Sequence, residues 1–87
     1  SVLSTLSPHQ RVYHELLRIS EPDPRGDGTW VIDVVPAHNQ IAGWAGTDKM
    51  KVANAIGGLV RNGIIKRHHR SLVIIDHARL KFLAGLD

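Results

Sequence analysis

The sequence predicts a mainly helical α+β domain carrying one small β-hairpin, and three observations lead there. Apolar residues recur at helical spacing over residues 8–19 and again from Val52 to Leu59. Two β-prone runs, "IIKR" and "LVII", are separated only by "HHRS", a connection short and polar enough for a hairpin. Glycine, proline and aspartate gather between the periodic stretches, at 21–29, at Gly46 and at Asn62-Gly63, where they set turns. A chain of 87 residues supports one domain, expected to span residues 1–87, and at this size only about 60–65% of the unfolded surface can be buried.

In "SPHQRVYHELLRIS" Ser7 can accept from the first free amides and Pro8 fits the first helical position, while Val12, Tyr13, Leu16, Leu17 and Ile19 line one side of an amphipathic helix. The following "EPDPRGDGT" is too rich in proline, glycine and aspartate for regular structure and reads as an exposed loop. "WVIDVV" is β-branched, stops at Pro36 and reads as a short strand. A brief helix is expected from Ala37 to Ala45, with Ile41, Trp44 and Ala45 on one side and Gly46 ending it in the left-handed conformation. Asp48 caps the next helix, whose Val52, Ala55, Ile56 and Leu59 fall at i, i+3, i+4 and i+7 as a buried stripe, and Asn62-Gly63 closes it. Gly57 and Gly58 lie inside this helix at a cost of about 1 kcal/mol each relative to alanine, which calls for close packing or for close approach of a partner. After the hairpin, Asp76 caps a last helix, "HARLKFLAG", with Leu80, Phe82 and Leu83 available for packing.

The net charge of +3 conceals an asymmetry. Residues 1–48 hold three basic and six acidic side chains, whereas residues 49–87 hold eight basic and two acidic ones. The positive field of the second part favours a polyanion such as nucleic acid. Without cysteine, disulfides and thiolate metal ligation are excluded, and a cytoplasmic setting is the default reading. No apolar run reaches the roughly 18–20 residues that span a bilayer, so no membrane partner is expected, and "SVLSTLSPHQ" lacks the plan of a signal peptide. A start at Ser1 rather than methionine reads as a processed product or a fragment of a longer protein.

Two short helices joined by a tight glycine turn, the second followed by a basic hairpin, have the plan of a winged helix-turn-helix, with the helix-turn-helix at about 38–57 and the wing at about 64–75. Ile41, Ala45, Val52 and Ala55 occupy its buried positions, Ala42 the crossing point and Gly46 the turn. The stretch "NQIAGWAGTDKMKVANAIGGLVRNGIIKRHHRSLVIIDHARLKFLAG", together with the leading "QRVYHELLRIS", resembles the C-terminal DNA-binding domain of the Crp/Fnr family of bacterial transcription regulators, the cyclic AMP receptor protein family. The resemblance implies sequence-specific binding of double-stranded DNA by a transcription factor. It also implies a full-length homodimer reading half-sites about 34–36 Å apart. The β-roll and long dimerisation helix of that family are not in this sequence. The resemblance therefore implies no cofactor in this domain and, in the full-length regulator, a small-molecule effector such as a cyclic nucleotide bound by an N-terminal domain. RNA polymerase is a further partner that the resemblance allows.

On the second helix of the pair, Lys49, Met50, Ala53, Asn54 and Gly57 lie opposite the buried stripe. Lys49, Met50 and Asn54 are the candidate base contacts, since lysine donates to guanine or phosphate and asparagine pairs with adenine. Phosphate contacts are expected from His38, Asn39 and Thr47 before the helix, from Lys51 and Gly57 on it, and from Lys66, Arg67, His68, His69 and Arg70 at the wing. Many members of the family place an arginine, a glutamate and a second arginine where this sequence has Lys49, Met50 and Asn54, so the usual target sequence does not carry over. Ala37 stands where a threonine or serine often caps, weakening that cap by about 1 kcal/mol.

Other chemistries fit less well. The six histidines, at 9, 14, 38, 68, 69 and 77, have no spacing suited to one metal ion. No serine, histidine or carboxylate has an identifiable orienting partner, so the chain is read as no enzyme. Four aromatic residues are too few for single-strand binding by stacking. The main alternative is a winged helix used for protein contact without specific DNA binding, which joint exposure of Met50 and Trp44 would favour. The positive field argues for DNA, because protein-contact surfaces are depleted of charge at their centres.

Overall fold

The computed structural model describes residues 5–86. The first four residues, at the head of the stretch that lacks a signal-peptide plan, and Asp87 lie outside them. The order is α1 (Pro8–Ile19), β1 (Glu21–Pro22), β2 (Trp30–Ile32), α2 (His38–Ala45), α3 (Lys49–Arg61), β3 (Ile65–His68), β4 (Ser71–Ile74) and α4 (His77–Leu83). The fold is a winged helix-turn-helix: four helices with a four-stranded antiparallel sheet in the order β1-β2-β4-β3.

Local capping sets the helix starts. Ser7 accepts from the Gln10 amide while the Gln10 side chain accepts from the Ser7 amide, a reciprocal pair that satisfies two orphan donors. Asp48 accepts from Lys51 N and Asp76 from Arg79 N. Ala37 contributes no side-chain cap to α2. The core joins Val12 and Leu16 of α1, Ile41 and Ala45 of α2, Val52, Ala55, Ile56 and Leu59 of α3, the inward strand residues and Leu80. Ala42, the small residue expected at the helix crossing, is buried in the same core.

Three expectations need correction. The strand expected over "WVIDVV" ends at Ile32, because Ile32 pairs with Leu72 and β4 offers only Ser71 beyond it; Val35 N instead donates to Arg70 O at 2.8 Å as the chain leaves for α2. Within the loop at 21–29, Glu21 and Pro22 do form a strand, pairing with Val31 and Trp30, and Pro22 is tolerated because β1 is an edge. Trp44 and Phe82 do not join the core. Trp44 is 43% exposed with the Arg18 guanidinium 4.9 Å from its ring, and Phe82, two residues beyond buried Leu80 and hence on the opposite side of α4, is exposed with Arg79 5.2 Å from its ring.

Candidate nucleic-acid interface

α2 and α3 are held as a unit by their turn. Gly46 has φ 66°, a left-handed conformation that ends α2 without a Cβ penalty, and Thr47 N returns to Ala42 O at 3.0 Å. Arg11 fixes the same turn from α1: its guanidinium donates to Ala45 O at 2.7 Å, Leu6 O at 2.8 Å and Gly46 O at 3.2 Å. The last carbonyls of α2 therefore receive a cation, the favourable charge for a helix C-terminus. Elsewhere on α1, His14 Nε2 lies 2.7 Å from Ala84 O and Gln10 Nε2 donates to Leu83 O at 3.4 Å, tying down α4.

So anchored, α3 buries Val52, Ala55, Ile56 and Leu59 and turns Lys49, Met50, Lys51, Asn54 and Arg61 to solvent. Met50 is 67% exposed, and Ala53 and Gly57 are half-buried beside it. The Asp48 carboxyl is held below its ordinary range, first by the Lys51 amide and then by the Lys51 ammonium, whose Nζ lies 3.3 Å from Oδ2. Lys51 thus has a carboxylate partner already, although an exposed pair of this kind contributes little stability and yields to a competing phosphate at low cost. Lys49, Arg61, Lys66, Arg67 and Arg70 have no side-chain hydrogen bond or ion pair among the described residues.

The wing is the β3–β4 hairpin, in which Arg67 faces Leu72 and His68 faces Ser71, leaving His69 and Arg70 as a two-residue connection. His69 is left-handed at φ 55°, a conformation that histidine adopts more readily than most residues. Strand alternation divides the basic positions. Arg67, His69 and Arg70 border a cleft of about 300 Å³ shared with Val35, His38 and Ile56, between the wing and the start of α2. Lys66 and His68 lie on the opposite side of the sheet, bordering a second cavity with Arg25, Asp27 and Thr29. His38 enters the first cleft, whereas Asn39 is exposed and Thr47 half-buried in the turn.

The glycine pair has a partial explanation. A Cβ at Gly57 would lie 3.1 Å from Arg61 Nη1 and one at Gly58 3.7 Å from Arg61 Nη2, with no other element within 4 Å among the described residues. Core packing therefore does not require either glycine. Arg61, absent from the sequence candidates, could have been found by spacing: Met50, Asn54, Gly57 and Arg61 follow at i, i+4, i+7 and i+11 on one helical face. The Arg11 clamp, by contrast, spans 34 residues in sequence and leaves no local signal.

No group of three or more histidine or acidic side chains suited to a metal ion occurs among the described residues, nor does a helix long and apolar enough to cross a membrane.

This arrangement has counterparts among known proteins. The model of the Crp-like helix-turn-helix domain matches residues 10–83. Among solved structures, TTHA1359, a CRP/FNR-family transcriptional regulator from Thermus thermophilus, is similar with 25% identity and a TM-score of 0.73, covering 95% of this chain and 43% of that one. TTHB099, a CRP-family transcriptional regulator from the same organism, shares 26% identity with a TM-score of 0.74 over the same shares of each chain. The reduced CO-sensing protein of R. rubrum, at 23% identity and a TM-score of 0.71 over 88% of this chain and 37% of that one, shares the fold. The chain thus spans less than half the length of these proteins. Among curated proteins no sequence match is found. A match that runs from α1 to the end of α4, over a wing and a helix-turn-helix built as described, makes this chain a member of the Crp-like helix-turn-helix domain family.

Proposed function

We propose that this domain binds double-stranded DNA in a sequence-dependent manner, with α3 in the major groove and the wing along the phosphate backbone, as the output end of a transcription regulator. One observation carries the reading: the solvent face of α3 is a line of exposed side chains opposite a fully buried stripe, next to a cleft bordered by Arg67, His69 and Arg70. In this reading Lys49, Met50 and Asn54 meet base edges. Asn54 offers a bidentate pair to adenine, Lys49 donates to guanine or phosphate, and Met50 offers apolar contact to a thymine methyl. His38, Arg67, His69 and Arg70 flank one phosphate run, with Asn39, Thr47 and Lys51 at the entry to the groove. Lys66 and His68, on the other side of the wing, are assigned a weaker, long-range share of the attraction.

In the longer regulator that the similar structures exemplify, two such domains would read half-sites about 34–36 Å apart as a homodimer. Control by a small-molecule effector in an N-terminal domain and contact with RNA polymerase belong to that wider proposal. A protein-contact role is the second reading, favoured by the exposure of both Met50 and Trp44. It is the weaker one, since the Arg18 guanidinium lies over Trp44, and Met50 stands between Lys49 and Lys51 in sequence.

Selection of bound duplexes from a random pool, followed by titration against salt, tests the proposal. The expected result is an enriched motif and a log–log salt slope of about −0.9 for each phosphate neutralised. A pool that stays random, with an affinity insensitive to salt, would leave the protein-contact reading in its place.

A further inference from the structure

Arg61 is the one cation on the central line of α3 that the DNA-binding reading leaves without a role. Side chains on a helix lean toward its N-terminus and cover the residues three and four positions earlier, which for Arg61 are Gly58 and Gly57. Both are bare, and the guanidinium rests against them, so close that a Cβ on Gly57 would meet Nη1 at 3.1 Å. The bland account of Arg61 is that a cation in the last turn complements the helix dipole. That account leaves the glycines unexplained, because a dipole contact needs neither of them and, among the described residues, no other part of the fold comes within 4 Å of a Cβ placed on either one. Nor is the guanidinium engaged elsewhere, having no hydrogen-bond or ion-pair partner among the described residues.

We infer that Arg61 is a phosphate-contacting residue of the DNA interface, its guanidinium carried flat over the Gly57–Gly58 backbone into the line of Met50 and Asn54. The inference rests on the DNA-binding reading above. Base edges are read by the N-terminal part of a recognition helix, so a group arriving from the last turn meets the flanking strand rather than the groove floor. The planar fork of arginine matches two phosphate oxygens. At the place of Gly57 the group offered to DNA is therefore the Arg61 guanidinium, and the glycine serves by being empty.

The test uses the whole 87-residue chain and the duplex selected above, with random duplex as comparison. Arg61→Ala is expected to weaken binding to both duplexes by the same factor and to reduce the magnitude of the salt slope by about 0.9. Arg61→Lys keeps the slope, since it keeps the charge. Gly57→Ala is expected to raise Tm, because a half-buried helical glycine that no core side chain crowds is replaced by the best helix former, and yet to weaken binding, with little further loss when Arg61→Ala is added. Arg18→Ala, which removes an equal charge from α1, leaves the slope unchanged. An unaltered slope in Arg61→Ala, or a loss confined to one sequence, overturns the phosphate assignment alone. Failure of the unmodified chain to bind any duplex overturns it together with the reading on which it rests.

Discussion

The loop at 23–29 and the α3–wing surface both carry charge and treat it in opposite ways. In the loop, Asp23 is almost fully buried; its carboxylate accepts from the backbone amide and guanidinium of Arg25, with Nη2–Oδ2 at 2.8 Å, and from the Thr29 hydroxyl, which also donates to Asp27. The Arg25 guanidinium, first through its hydrogen bonds, holds the Asp23 carboxyl down at about 2. On the other surface, Lys49, Arg61, Lys66, Arg67 and Arg70 have no such internal partners among the described residues. Charge in the first region is consumed by the fold, and charge in the second remains available to a polyanion. Net charge alone does not reveal this difference, since Arg25 and Arg67 count equally in the sequence.

The comparison breaks most visibly if the wing can lose its arginines without effect. The double variant Arg67→Ala/Arg70→Ala is expected to weaken binding to every duplex about 100-fold, from roughly 1.5 kcal/mol for each charge-assisted contact, whereas Arg25→Ala leaves affinity unchanged; fluorescence anisotropy with selected and random duplexes reads both. Next in size is the clamp on the turn. Arg11→Ala removes three hydrogen bonds to carbonyls and should destabilise the fold by about 2 kcal/mol, seen as a fall in Tm of roughly 8–16 °C. Asn54→Ala should cost about 1 kcal/mol or more of preference between the selected site and a site changed at one adenine, with little effect on random duplex, in a competition assay.

The smallest effect lies in the loop and depends on acid. Because the folded carboxyl of Asp23 titrates below its ordinary value of 3.8, its contribution to stability is present above that value and is lost as pH falls through about 2. Denaturation followed between pH 5 and pH 2 should therefore show an acid limb that Asp23→Asn reduces. An identical limb in the variant would assign acid loss to other carboxylates.

Much of the fold was legible because its signals act within three or four residues. Ser7, Asp48 and Asp76 cap the helices expected of them, the stripe from Val52 to Leu59 is buried, and Gly46 takes the left-handed turn. Features set by distant partners were not legible. The end of β2 depends on how far β4 extends, and Trp44 stands at the surface with its ring against the Arg18 guanidinium of α1, a distant partner. In the candidate site, the split of the wing strand into Arg67 on one side and Lys66 with His68 on the other follows from alternation, while His69 and Arg70 belong to the turn. Its two sides are fixed only by the pairing of Ile65 with Ile74 over the core, which no local pattern specifies. Arg61 was legible by spacing but concealed by its position at the end of the helix, where a basic residue is ordinary.

The most direct measurement is a map of backbone amide chemical shifts as the selected duplex is added to the labelled chain. The account predicts perturbations at the start of α2, along α3 from Lys49 to Arg61 and over Arg67–Ser71, with the amides of Asp23–Thr29 unmoved. Perturbations centred on the loop at 23–29 or on Phe82 and the rest of α4, with α3 silent, would contradict it.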